Sequence, residues 1–199
     1  MIMDNTSLIR NLTEIVGFTD SEIEIISTKF KIKQYLKKDF LLQSGNVCKN
    51  LFFIKKGLVR MFHLQDGKEI TTYLACDDRF IVSAGSFLSQ SPTNDYIQCI
   101  EDSITLEISH KEMQYLYDTI PNWNIVGRKL MEETVMCLSN LLENQHHVKA
   151  KDRYLKFIKE KPSKIVQQTP IQYVASFLGI APESLSRIRK EITQSTAIS

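Results

Sequence analysis

No apolar run in this chain of 199 residues approaches the roughly 18 residues that a membrane span needs. Met1 to Arg10 lacks the apolar stretch of a signal peptide, so a cytoplasmic protein with no membrane partner is expected. Cysteine is scarce and scattered: Cys48, Cys76, Cys99 and Cys137 form no CxxC pair, which excludes the common zinc and iron–sulfur spacings and a disulfide scaffold. Seven glycines and five prolines are too few for a collagen-like or low-complexity chain. There is no internal repeat, no GxSxG and no phosphate-cradling glycine loop. What remains is ordinary globular composition, with 43% hydrophobic and 24% charged residues.

The net charge of +2 hides an asymmetry. Residues 1–120 hold 13 basic against 16 acidic side chains, whereas residues 121–199 hold 12 against 7. Residues 149–199 alone carry 10 basic and 4 acidic groups. A mildly acidic body with a basic end is the distribution expected where that end meets nucleic acid, although a merely solvated basic surface has the same composition.

Residues 8–33 read as a short amphipathic helical region, with Thr19 capping a first turn that holds Asp20 and Glu22. From about 34 to 110 the texture is β-rich. Leu51 to Ile54, Leu58 to Phe62 and Ile70 to Leu74 are strand-like runs, and Asp66-Gly67 between two of them is a strong hairpin signal. Strands so spaced predict a small antiparallel barrel or sandwich. After Pro121 the period becomes helical as far as Val148. One apolar row there is Val126, Leu130, Thr134, Cys137, Leu141 and Val148; a second is Met131, Val135, Leu138 and Leu142. One row would cover the β domain, and the other needs a partner, most simply the same helix of a second copy. Lys149 to Lys161 reads as a basic helix with Tyr154, Leu155 and Ile158 inward, followed by a polar link from Ser163 to Gln168. The domains expected are 1–120, a β sensor; 121–148, a dimerisation helix; and 149–199, a DNA-binding unit.

The C-terminal unit carries the sharpest motif. Thr169-Pro170-Ile171-Gln172 has the order of a capping box, with Thr169 as N-cap. The helix it opens meets Gly179, and Pro182 opens another. Ala175 would let the two helices approach, Gly179 would take positive φ, and Val174, Leu178, Ile180, Leu185 and Ile188 would fill the shared core. That is a helix-turn-helix pattern. The outward face of the second helix is Glu183, Ser184, Ser186, Arg187 and Lys190, side chains suited to base edges and phosphates.

The order of β-roll, long helix and C-terminal helix-turn-helix resembles the Crp/Fnr family of bacterial transcription regulators, from about Ile9 to Ile192. Leu51 to Arg60 resembles the family's roll signature, Asp66-Gly67-Lys68-Glu69 its next hairpin, and Leu106 to Ser109 the end of the roll. The resemblance implies an α+β fold: an N-terminal antiparallel roll like that of cyclic-nucleotide-binding domains, a dimerisation helix and a helix-turn-helix. It also implies a homodimer that reads duplex DNA. Glu183 and Arg187 fall at the family's base-reading positions and Gln172 at a phosphate-contacting one. Ala181 and Pro182 depart from the family's Ser or Thr cap and following basic residue, and the seven residues after Ile192 leave little room for its β-hairpin wing.

Members that bind cyclic AMP hold the ribose and phosphate with a Gly-Glu pair and a downstream Arg. Here Ser83 stands at the glutamate position, and residues 92–96 contain no arginine, so control by cyclic AMP is not expected. Phe80, Ser83, Ser86, Phe87 and Tyr96 are the candidate lining of a roll pocket whose effector is unknown. Residues 1–30 lack the cysteines of the family's oxygen-sensing branch, His63 and His110 are isolated, and His146-His147 reads as a solvated helix end. No cofactor, metal or catalytic residue is therefore expected. The alternative is a small-ligand-binding or cupin-like barrel without a DNA-binding role, but such a metalloenzyme needs about three converging histidines, and residues 34–110 hold two. A purely dimeric scaffold is a third class, distinguished by the absence of salt-sensitive DNA binding. The partners expected are duplex DNA and a second copy, with RNA polymerase the further one to consider.

Overall fold

The computed structural model describes residues 5–146 and 149–196, with side chains described for 5–139 and 149–194. Two short helices, α1 (Thr6–Thr13) and α2 (Asp20–Lys29), precede the sheets. Thr19 caps α2 as expected: its hydroxyl accepts from the Glu22 amide while the Glu22 carboxylate accepts from the Thr19 amide. The region expected to be helical over 8–33 is thus two helices, and its last residues already belong to a strand.

Eight strands and one short helix follow: β1 (Lys31–Tyr35), β2 (Phe40–Leu42), β3 (Asn50–Lys56), β4 (Leu58–Gln65), β5 (Lys68–Cys76), β6 (Arg79–Ile81), α3 (Ala84–Ser89), β7 (Tyr96–Cys99) and β8 (Ser103–Ser109). They form two antiparallel four-stranded sheets, ordered β1-β8-β3-β6 and β2-β7-β4-β5. The hairpin from β4 to β5 turns at Asp66 and Gly67, with φ of 51° and 75°; two successive positive φ values are what a tight hairpin turn demands. Gly57 joins β3 to β4 at φ 136°, where a Cβ would collide with Ser103. Phe53, Ile54, Val59, Ala75, Ile97, Leu106 and Ile108 of the two sheets belong to one apolar core with the helices packed on the roll.

The roll leads through α4 (His110–Thr119) into the long α5 (Trp123–His146). Trp123 and Val126 are fully buried against the roll, and Leu130, Thr134 and Cys137 are half-buried. The second row stays exposed: Met131, Val135 and Leu138, the last two more than half accessible. The side chains of Leu141, Leu142 and His146, and the whole of His147 and Val148, lie outside the described residues.

Four helices end the chain: α6 (Ala150–Glu160), α7 (Ser163–Gln168), α8 (Ile171–Leu178) and α9 (Pro182–Thr196). Three expectations are corrected here. The supposed polar link is α7, which buries Ile165 between its polar residues. In α6 the inward residues are Tyr154 and Phe157, with Ile158 half-buried against the same core as expected, whereas Leu155 is exposed. Thr169 does not cap α8. It ends α7 instead, Pro170 stands at the N-cap of α8, and the Thr169 hydroxyl is buried without a partner. Proline needs no donor at a helix start, so the sequence order of a capping box was satisfied without its hydrogen bond.

These helices do not stand apart from the roll. The outer face of the β2-β7-β4-β5 sheet contributes Leu58, Leu74 and Cys76, with Ile100 beside it, to one apolar cluster with Tyr154, Phe157, Ile165, Val174, Leu178 and Leu185. Both faces of that sheet are therefore covered.

Candidate nucleic-acid interface

Helices α8 and α9 are joined by a three-residue turn in which Gly179 takes φ 61°. A residue with a Cβ is strained in this left-handed region, and Gly179 also donates its amide to the Ser176 carbonyl. Val174, Ala175, Leu178, Ile180, Leu185 and Ile188 are all buried, as the pattern of the sequence demanded, with Ala175 and Leu185 fully enclosed. The packing of these side chains orients the remaining faces. Gln172 on α8 is exposed. On α9, Glu183, Arg187 and Lys190 are exposed, while Ser184 and Ser186 are half-buried. Glu183 sits in the first turn of α9, where its charge suits the positive helix terminus.

Nearby Arg189 behaves differently. Its Nε donates to the Tyr154 hydroxyl at 2.9 Å and its terminal nitrogen to the Val166 carbonyl at 3.1 Å. Arg189 therefore ties α9 to α6 and α7, and Arg187, two residues earlier, points away. Among the described residues, Gln172, Glu183, Ser184, Ser186, Arg187 and Lys190 have no intramolecular side-chain hydrogen bond or ion pair.

The candidate pocket in the roll presents another arrangement. Ser83 is buried and donates to an Asp95 carboxylate oxygen at 2.5 Å, and the Thr93 hydroxyl donates to the same oxygen at 3.2 Å. The Ser86 hydroxyl accepts from the Cys48 amide and donates to the Ser91 carbonyl. Phe87 packs edge-on against His110, and Tyr96 stacks on Phe62 with ring centroids 4.9 Å apart. The five residues do not converge. Phe80 lines a cavity of about 90 Å³ between roll and α5, together with Met61, Tyr73, Leu130, Thr134 and Cys137. Burial pushes the Tyr73 phenol there up to about 12 and raises the Cys137 thiol, so both are neutral at physiological pH. No group of three or more His, Cys, Asp and Glu among the described residues could hold a metal ion.

Sequence reasoning missed Arg60. It is 2% exposed, donating to Glu69 at 2.6 Å and through two nitrogens to the Gln98 side-chain carbonyl. Its guanidinium lies 4.0 Å from the Phe62 ring centre and 3.7 Å from that of Tyr173 on α8. The unbroken apolar run around it signalled a strand covered on both faces, which is where a buried arginine needs such partners.

Residues 32–119 match the family model of the cyclic nucleotide-binding domain. No curated protein matches the chain. Among solved structures, a CooA mutant from Carboxydothermus hydrogenoformans is similar at 18% identity and TM-score 0.70, covering 93% of this chain and 85% of that one. FixK2 from Bradyrhizobium japonicum gives 14% identity and TM-score 0.70, with 84% and 86% covered. The c-di-GMP-responsive global regulator CLP of Xanthomonas campestris gives 15% and 0.68, with 89% and 93% covered. This chain has the fold of these three proteins. No helix among the described residues is long and apolar enough to cross a membrane.

Proposed function

We propose that the protein is a homodimeric, sequence-specific DNA-binding transcription regulator that is not controlled by cyclic AMP. In this reading residues 1–120 form the sensor, 121–148 the dimerisation helix and 149–199 the reader; the partners are duplex DNA, a second copy and RNA polymerase. The observation that carries it is the set of polar side chains on one surface, Gln172, Glu183, Ser184, Ser186, Arg187 and Lys190, uncommitted within the chain while Arg189 beside them is tied down. Polar groups left free on a rigid helix are available to base edges and phosphates at no cost in broken internal bonds. Arg187 would take a guanine edge, Glu183 a cytosine amine, and Gln172, the serines and Lys190 the flanking phosphates.

The exposed row Met131, Val135 and Leu138 supports the dimer, since two such rows packed together would hide apolar surface that a single copy leaves in water. Asp95 supports the absence of cyclic AMP control. Its carboxylate lies beside Ser83, in the segment where a phosphate-binding member would place a cation, and it would repel the phosphodiester. Selection of the full-length protein on a random duplex library tests the function. An inverted repeat with half-site centres about one helical turn apart should be enriched. Retention of every sequence equally would overturn the reading.

A further inference from the structure

We propose that Arg60, Tyr173 and Ser176 form a clamp that fixes the reading pair on the roll and so determines which half-site spacing the protein accepts; the inference rests on the DNA-reading function above. β5 is an edge strand, and its outer backbone groups need partners. One hydroxyl supplies two of them: Ser176 Oγ donates to the Glu69 carbonyl and accepts from the Thr71 amide, both at 2.9 Å. A neighbouring strand would make this pair of bonds with its backbone; here a helix makes it with one side chain. Tyr173 lies three residues earlier on the same flank of α8, and its ring covers the Arg60 guanidinium, whose other face rests on Phe62. Arg60 is anchored in the roll by Glu69 and Gln98. At the far end of the same interface, Lys164 of α7 pairs with Asp77 and Glu101 of the roll.

These attachments lie at separated points, so α8 can neither slide along β5 nor rotate on it without losing one. The shared core of α8 and α9 carries the constraint onward to Glu183 and Arg187. Gln172 stands one turn before Ser176 on α8, next to the clamp, and its side chain stays exposed, so docking leaves it free. In a dimer built on α5, a reader fixed to each roll gives one separation between the two α9 helices, and a flexibly tethered reader would give many. None of the three clamp residues belongs to the proposed DNA contacts; they are positioning residues.

The test uses the full-length protein and the duplex enriched by selection, remade with one base pair added to or removed from the spacer. The unaltered protein should lose roughly tenfold or more in affinity on either change, as for a mismatched site. Tyr173→Leu with Ser176→Ala should bind the original spacing more weakly, yet lose less than about threefold when the spacer changes. The salt dependence should keep its slope, because the number of phosphates touched is the same. Arg60→Met, made from the roll side with a side chain of similar reach, should have the same effect, and it decides the matter if circular dichroism shows the double variant unfolded. Variants that discriminate spacers as sharply as the unaltered protein, or that lose affinity equally at every spacing, would overturn the clamp. If the unaltered protein enriches no sequence, the DNA-reading function falls first and the clamp with it.

Discussion

The roll loop around Ser83 and the outward face of α9 are both rich in hydroxyls and charge, yet they dispose of their polar groups in opposite ways. In the loop each donor has found an acceptor inside the chain: Ser83 and Thr93 on Asp95, Ser86 on Ser91. On α9 the polar side chains of the outward face have found none, and the one arginine that has, Arg189, is turned inward. A satisfied network is a poor receptor, because a ligand must first break what it replaces. An unsatisfied exposed face loses only water. The molecule thus carries a roll whose polar loop is closed on itself and a helix whose polar face is open.

Breaking the proposed dimer should have the largest effect on the open face. Leu138 is 55% exposed, so Leu138→Asp leaves the core intact and places a carboxylate in the apolar row. The variant should sediment as a monomer and lose specific DNA binding; a folded dimer would place the interface elsewhere. The closed loop is probed by calorimetry with cyclic AMP. Losing two charge-assisted hydrogen bonds, worth about 1.5–3 kcal/mol each, weakens binding by roughly two to four powers of ten. No saturable heat should appear at millimolar nucleotide, and a dissociation constant in the low micromolar range would show the loop to be open after all.

Smaller effects sharpen the relation between the two regions. Leu185→Ala should cost about 2–5 kcal/mol, since Leu185 is fully enclosed in the core shared by reader and sheet. The loss should appear in a single cooperative melt of the whole chain, and two separate transitions would contradict the shared core. Lys164 gives the smallest change. Burial lowers its amine, but hydrogen bonds to Asp77 and Glu101 outweigh this and raise it above the usual 10.5. A raised lysine contributes its stabilisation fully below the ordinary value and loses it as pH rises through the folded one. The difference in melting temperature between the protein and Lys164→Met should therefore stay constant near neutral pH and fade only above the lysine range.

Much of this was legible in residue order. Asp66-Gly67, the strand-like runs and Gly179 specify local conformations, so the roll and the turn before α9 follow from neighbours in sequence. Val174 and Leu178 on α8 and Leu185 and Ile188 on α9 stand at helical spacing, and with Ile180 of the turn they are buried as read. What stayed hidden depends on partners far along the chain. Helix α7 is mostly polar and forms because Ile165 docks on the sheet's outer face. Ser176 and Tyr173 are ordinary surface residues until β5 and Arg60 arrive from more than a hundred residues away. The pocket residues Ser83, Ser86 and Tyr96 share a stretch of sequence, but α3 and the strands turn them toward different neighbours.

The central claim, that the open face of α9 reads sequence, is tested most directly by Arg187→Ala on the selected site and on its single-base variants. The expected result is a loss of about 1–3 kcal/mol on the selected site and a preference relaxed at one base position only. An equal loss on every sequence, or no loss at all, would contradict it.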